Sequence, residues 1–437
     1  MGTSSKPYFK LSEAISCPDC GQNVILYDLP RSEFTICSFC RSYFQIVGND
    51  LKKQKKQLDG PQKQPLLKLG ATANIHGVDL KVIAYLEKKE AGTDYNWREY
   101  ILTSHNKGYV TISEFNGHWN LIAGPEFLPD FKQPISYGNS VGYKDVEYKL
   151  FNHYTPAITA MLGELDWDVL NEKVKATEYI APPFMVVKEI IGKSNGLTNY
   201  YIGEYLQPDE IAAAFGLNIK ELPVKTGIGA NEPSKAYDRW IPTLQISIIA
   251  MLVVLGLHFA FEIFKPEKDL INDDFAIQFD GKTDPNSFKP FITPSFNVED
   301  YSSNIEFNIS ANVDNNWFET TIVLVNEKDN RTWEVSKGIE YYHGYEDGEK
   351  WSEGSTTEKV MVAGIPKGKY HLNVYPASGD TTSTNLYIKA TANSSMWRNT
   401  LLTMLAFAIF PAISWYLMRN YEKRRWSNSD YSPFVND

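Results

Sequence analysis

The chain has 437 residues, with 43 Lys and Arg against 53 Asp and Glu, for a formal net charge of −10. That length admits several domains, and the acidic balance excludes nucleic acid as the main partner. All four cysteines lie between Cys17 and Cys40, a distribution that fits reduced, metal-binding thiols and not a disulfide framework.

Residues 1–16 contain no apolar core and so no signal peptide is expected. Cys17-Pro18-Asp19-Cys20-Gly21 and Cys37-Ser38-Phe39-Cys40 then form two CxxC units. Two-residue spacing lets both thiolates of a knuckle face one ion, and two knuckles complete the tetrahedral four-sulfur shell that zinc prefers. Residues 1–50 therefore read as a zinc ribbon holding structural Zn2+ on Cys17, Cys20, Cys37 and Cys40. Iron in a rubredoxin-like site and free or redox thiols are the alternatives. Gly21 fits a tight turn, and Val24–Leu26 with Phe34–Ile36 read as the hairpin strands between the knuckles. A closed four-ligand site leaves no open position for substrate, so this metal is expected to hold a fold and not to catalyse. Residues 51–65, lysine- and glutamine-rich without an apolar period, read as a solvated linker.

Residues 66–220 are rich in aromatic and β-branched residues punctuated by glycine, the pattern of a cytoplasmic β-rich domain, a meander or small barrel. Val78–Ala84, Arg98–Leu102, Tyr109–Phe115 and His118–Ile122 are candidate strands, and Asp209–Phe215 is a short helix ending at Gly216. Trp97-Arg98-Glu99-Tyr100, Gly108-Tyr109, Glu114 with Gly117-His118-Trp119, Gly163-Glu164-Leu165-Asp166-Trp167, Pro182-Pro183 and Gly203-Glu204-Tyr205 follow one another here. With these marks, residues 66–206 resemble the bacterial domain-of-unknown-function family numbered 4178, whose members often carry an N-terminal zinc-ribbon-like segment. The resemblance implies a cytoplasmic β-rich module with a role in envelope maintenance or stress, and it carries over no catalytic residue.

Glu164 and Asp166, two apart, would share a strand face, as a carboxylate pair requires. Glu114 and His118, four apart on a hairpin, need not. Trp97, Trp119 and Trp167 read as core aromatics or as a stacking platform. No metalloprotease, nucleophile-elbow, phosphate-loop or dinucleotide motif occurs.

Two apolar runs, 240–264 and 397–418, each have about the twenty residues that cross a bilayer as a helix, and each opens at a Trp. Arg419, Lys423, Arg424 and Arg425 follow the second, in a basic tail spanning 419–437. The positive-inside rule then places both termini in the cytoplasm and residues 265–396 outside; Lys225, Lys235 and Arg239 agree, while Lys265 and Lys268 weaken the signal. Pro242 falls at the expected start of the first helix and Pro411 inside the second. His258 and Glu262 lie four apart on one face: either a helix–helix or proton-handling contact, or a Glu262 that snorkels or meets Lys265.

The outer segment carries 12 Lys and Arg against 21 Asp and Glu. Its alternation at Ile305, Phe307 and Ile309, at Val360 and Val362, and at Leu386 and Ile388 reads as a β-sandwich. Trp317, Trp333 and Trp351 are core or rim aromatics or a sugar-binding set, and Glu346, Asp347 and Glu349 a loop that could hold calcium.

The fold class expected is therefore a multidomain membrane protein: zinc ribbon, β-rich domain, two transmembrane helices and an extracytoplasmic β-sandwich. The function expected is a non-enzymatic interaction or assembly module linking the two sides of the membrane. Its expected partners are the bilayer and other membrane or envelope proteins, as a homo-oligomer or a heteromeric complex. The alternatives are an enzyme acting on a small cationic substrate through Glu164, Asp166 and His118, and a sensor or channel accessory subunit.

Overall fold

The structure, a computed structural model, describes residue 9 and residues 12–61, 64–170, 173–192, 196–280 and 286–434. The first residues of the predicted ribbon and the last three of the predicted tail lie outside this set. The chain divides into two compact units, one of residues 1–241 with 413–437 and one of residues 242–412.

In the first unit, each CxxC sits in the turn of its own hairpin. Glu13–Ser16 pairs with Asn23–Leu26, and Phe34–Ile36 pairs with Ser42–Val47. The expected pairing of Val24–Leu26 with Phe34–Ile36 is thus corrected. Both segments alternate correctly for strands, but periodicity does not say which neighbour a strand takes.

Phe34–Ile36 also pairs with Pro156–Leu165, so the ribbon's second hairpin belongs to a 15-stranded sheet. At its centre, Val78–Glu90, Asn96–Ser104, Tyr109–Phe115 and His118–Ala123 form the expected meander. His118–Ala123 then pairs with Leu197–Leu206, and pairing continues through Phe184–Ile191 and Val174–Ala181. The path is open, with edges at Ile135–Ser136 and Asp50–Gln57, so the described strands make no closed barrel.

The edge Asp50–Gln57 overturns part of the predicted linker, because it pairs with Ser42–Val47 as a strand. An edge strand is held by main-chain bonds, and lysines on it discourage pairing with other chains, so apolar alternation is not needed there. Leu58, just beyond, is 7% exposed and joins the core with Phe34, Ile36 and Tyr43.

Helix α1, Pro208–Phe215, ends at Gly216 in the left-handed conformation, as its sequence predicts. Helix α2 runs Lys235–Phe264 and α3 Trp397–Trp426. Both exceed the predicted crossings because polar turns extend the apolar runs. Ser234 Oγ accepts the Tyr237 N–H at 3.1 Å and caps α2 five residues early, which leaves Pro242 inside the helix and not at its start.

The second unit holds an eight-stranded antiparallel sheet over one core that includes Ile305, Phe307, Ile309, Phe318, Leu372 and Ile388. The strands join into one continuous curled sheet, a half-barrel, where two packed sheets were expected. Phe296–Ala311 and Thr357–Ser378 have 16 and 22 residues, enough to run through both halves. Register shifts between Val298 and Ser302, and between Ser303 and Ile305, bend the pair. Alternation of buried and solvated side chains is the same for a folded sheet and for a sandwich.

Candidate functional site

The two knuckle turns bring the Cys17, Cys20, Cys37 and Cys40 sulfurs within 4.8 Å of one another. Cys17 Sγ lies 3.6 Å from Cys40 Sγ, and Cys20 Sγ 3.7 Å from Cys37 Sγ. Tetrahedral ligands at about 2.3 Å from zinc stand roughly 3.8 Å apart, so this donor set fits the ion. The knuckles are built alike. Gly21 N–H donates to Cys17 O at 2.9 Å and Arg41 N–H to Cys37 O at 3.0 Å, with Gly21 and Arg41 both at positive φ. Among the described residues this is the one group of three or more His, Cys, Asp or Glu side chains placed to hold a metal. Glu346, Asp347 and Glu349 do not converge as calcium ligands.

The segment between the knuckles rests on the β-domain through polar contacts. Glu164, fully buried, accepts the N–H groups of Tyr27 at 2.7 Å and Asp28 at 2.5 Å on Oε1, while Oε2 has no partner. Lys81 Nζ donates to Tyr27 O at 3.0 Å, and Arg31 Nη2 donates to Ser104 O at 2.9 Å. The adjoining Gly163 has φ +88, and a Cβ there would meet Ile83 O at 2.1 Å, so only glycine lets the two strands close.

Burial pushes the Glu164 carboxyl up to about 7, against the pull of its two backbone donors. The unfolded chain ionises near 4.5. Between these values the folded state holds the extra proton, so this group's contribution to stability falls as pH rises through the window. At about 1.4 kcal/mol per unit, the loss is on the order of 3 kcal/mol. Thermal melts of Glu164→Gln, which keeps the Oε1 acceptor, should therefore be flatter than wild type between pH 5 and 8. Parallel profiles would contradict this assignment.

The predicted tail is not free. Helix α3 continues to Trp426, and Arg425 is 0% exposed. Its Nη1 donates to Gly229 O at 3.0 Å and Ala230 O at 2.9 Å, its Nη2 to Glu232 O at 2.6 Å, and its Nε to Glu422 at 3.0 Å. Trp426 packs 5.3 Å from the Phe151 ring, within a cluster containing Ile180, Met185 and Val187. Tyr421 Oη donates to Pro233 O at 3.4 Å. Sequence reasoning took Arg425 for a topology charge. Its only signal was a tryptophan placed directly after a basic cluster, past the end of the apolar run.

Residues 68–208 match the family described as "Domain of unknown function (DUF4178)". The chain carries a DUF4178 domain. No curated protein matches the chain. Among solved structures, the infectious bursal disease virus VP2 subviral particle is similar at 11% identity, 83% coverage of this chain and a TM-score of 0.19. The match takes in 65% of the viral chain's length. Carbohydrate-binding modules from the β-sandwich superfamily are similar at 7% identity over 55% of this chain and 90% of theirs, with a TM-score of 0.15. Scores this low carry no argument.

Within the DUF4178 domain, the three residues of the enzyme reading do not meet. Glu164 lies in the ribbon contact, and Asp166 is exposed beyond the strand end. His118 sits four strands away, roughly 19 Å along the sheet. Burial pulls the His118 imidazole down, against the opposing pull of the Glu232 carboxylate 3.5 Å from Nδ1. Its Nε2–H donates to Thr226 O at 3.2 Å, which leaves Nδ1 to accept from Tyr205 Oη at 2.9 Å. Glu114 accepts Arg98 Nη1 at 2.6 Å and the Gly117 N–H at 2.8 Å, locking the hairpin turn.

A cavity of about 200 Å³ beside Trp97, Arg98 and Asn116, and one of about 400 Å³ beside Tyr137, Glu147 and Trp426, are lined by none of Glu164, Asp166 and His118. The tryptophans make no platform either: Trp119 stacks on Tyr100 at 6.2 Å, Trp97 edges Tyr154 at 5.4 Å, and Trp167 joins another core.

In the second unit, His258 Nδ1 lies 3.1 Å from Thr400 Oγ1, and its ring 4.0 Å from that of Trp397. Glu262 Oε1 stands 3.1 Å from His258 Nε2 and accepts Ser395 Oγ–H at 2.6 Å. Lys265 bonds instead to Ser302 O at 2.8 Å. His258 thus makes a helix–helix contact, and Glu262 meets Ser395 and not Lys265. Trp333 packs 6.0 Å from Tyr370, and Trp351 lies over Gly344, so Trp317, Trp333 and Trp351 form no common sugar-binding face.

Proposed function

We propose that the protein is a non-enzymatic, two-pass membrane module in which the ribbon and DUF4178 domain on the cytoplasmic side are joined to the half-barrel domain outside. The observation that carries this reading is the Arg425 anchor. It fixes the end of α3 to residues 229–232, and α2 leaves the same segment at Lys235. Both helices are thereby rooted in the DUF4178 unit, an arrangement suited to passing force or position along helices. The apolar stretches of α2 and α3 have mean hydropathies of 2.3 and 1.9 and are only 11% and 6% buried, as lipid-facing helices would be. The surfaces of the half-barrel are the proposed contact for other envelope proteins or for further copies of the chain.

Orientation is tested by cysteine labelling. Tyr301, in the segment between the two apolar runs, is 91% exposed. Tyr301→Cys and Ser352→Cys should label in intact cells with an impermeant maleimide once any outer membrane is opened, and Val224→Cys should not. Labelling at Val224 alone would invert the topology. Absence of catalysis is tested by Asp166→Asn and His118→Gln. An enzyme using either group should lose about a hundredfold or more in rate, while a module acting through surfaces should keep its cellular activity in any variant that folds.

A further inference from the structure

We propose that the ribbon is a metal-dependent cover over one edge of the DUF4178 sheet, so that metal occupancy decides whether the Gly163–Leu165 end of the strand Pro156–Leu165 is interior or exposed. This inference rests on the four-cysteine metal reading and not on the membrane reading.

Phe34–Ile36 has three residues and three paired positions against Gly163–Leu165. A strand that short does not hold itself in place. It is held from its ends: Cys37 follows it directly and opens the second knuckle, whose return strand Ser42–Val47 completes the hairpin. At its start, the Glu33 N–H donates to Leu165 O at 2.8 Å. Thr35, fully buried, donates to Gly163 O at 3.0 Å. Upstream, the other inter-knuckle segment hangs on Glu164. Both contacts therefore fall on one strand of the DUF4178 domain, and both lie between Cys20 and Cys37.

The cover also carries apolar area. Phe34, Ile36 and Tyr43 pack with Ala84, Leu86 and Met161 in one buried cluster. The ribbon's own core contains Val24, Leu26 and Phe44 besides cysteines, too little to order it alone. Removing the ion should release the knuckles first. The three-residue strand should then fray, leaving the main-chain groups of Gly163–Leu165 and the apolar cluster open to solvent.

The test is hydrogen–deuterium exchange on the full-length, detergent-solubilised protein whose zinc content has been measured, before and after chelation and after zinc is restored. Exchange at Ala160–Leu165 is expected to rise at least tenfold on chelation and to recover with zinc, while Val174–Ala181 and Leu197–Leu206 stay protected. Cys37→Ser with Cys40→Ser should reproduce the change without chelator. Faster exchange confined to residues 12–50 would overturn the proposal while leaving the metal site intact. An equal rise throughout the sheet would overturn it in favour of general unfolding. A wild-type protein that binds no zinc would remove the metal reading on which it stands.

Discussion

Replacing Cys37 and Cys40 together by serine is expected to take bound zinc from about one ion per chain to none and to unfold the first knuckle along with the second. Structural zinc supplies an apparent folding free energy of about 10–16 kcal/mol in zinc-finger peptides near neutral pH. Within the knuckles' own core little else is available. That core holds Cys17, Val24, Leu26, Cys37 and Phe44, of which two are ligands. Three buried apolar side chains contribute about 1.5–3 kcal/mol each, while ordering the backbone costs about 1–2 kcal/mol per residue. Metal analysis and circular dichroism of the purified variant check this directly. Zinc retained at one per chain would mean that the ion is held elsewhere, and a fully ordered, metal-free ribbon would mean that packing suffices.

Arg425→Ala should be the most damaging single substitution among the basic residues after the second apolar run. It removes the donors from three backbone carbonyls, leaves Glu422 without its partner and takes the guanidinium away from the Tyr421 ring, 5.2 Å from it. Breaking a fully buried, multiply bonded charge typically costs about 3–5 kcal/mol. Arg425→Lys should recover only part of that, because one ammonium cannot reproduce a planar fork that serves carbonyls on two sides. Arg424→Ala, at an exposed position, should change stability by less than about 0.5 kcal/mol. Thermal unfolding of the three variants, with limited trypsin cleavage at Lys423 and Arg424, separates them. If the Arg425→Ala protein melts like wild type and its tail stays protected, the anchor contributes nothing and the proposed rooting of both helices loses its support.

Much of the molecule is legible without coordinates because its signals are local. CxxC spacing fixes which thiolates can share an ion, since two intervening residues set the reach of each knuckle. The apolar lengths of 240–264 and 397–418 follow from helical rise. The Asn116-Gly117 turn, the Gly216 cap and the central meander arise from backbone preferences of single residues or adjacent strands. Glu164 illustrates where such reasoning stops. Its place in a strand was readable, but its role was set by Tyr27 and Asp28, which are more than 130 positions away in the chain. A carboxylate two residues from another looks like paired chemistry until the far segment arrives and takes up its oxygen.

The sequence by itself determined the four-cysteine cluster, the two apolar helices and the β character of both large domains, because each depends on spacing or periodicity within a few residues. Only the tertiary structure decided that the ribbon shares a sheet with the DUF4178 domain, that the sheet of the second unit curls as one, and that Arg425 is buried. Those outcomes depend on which distant strand offers a free edge and which carbonyls lack a donor. Hydrogen-bond satisfaction is a property of the assembled chain, and no local pattern encodes it.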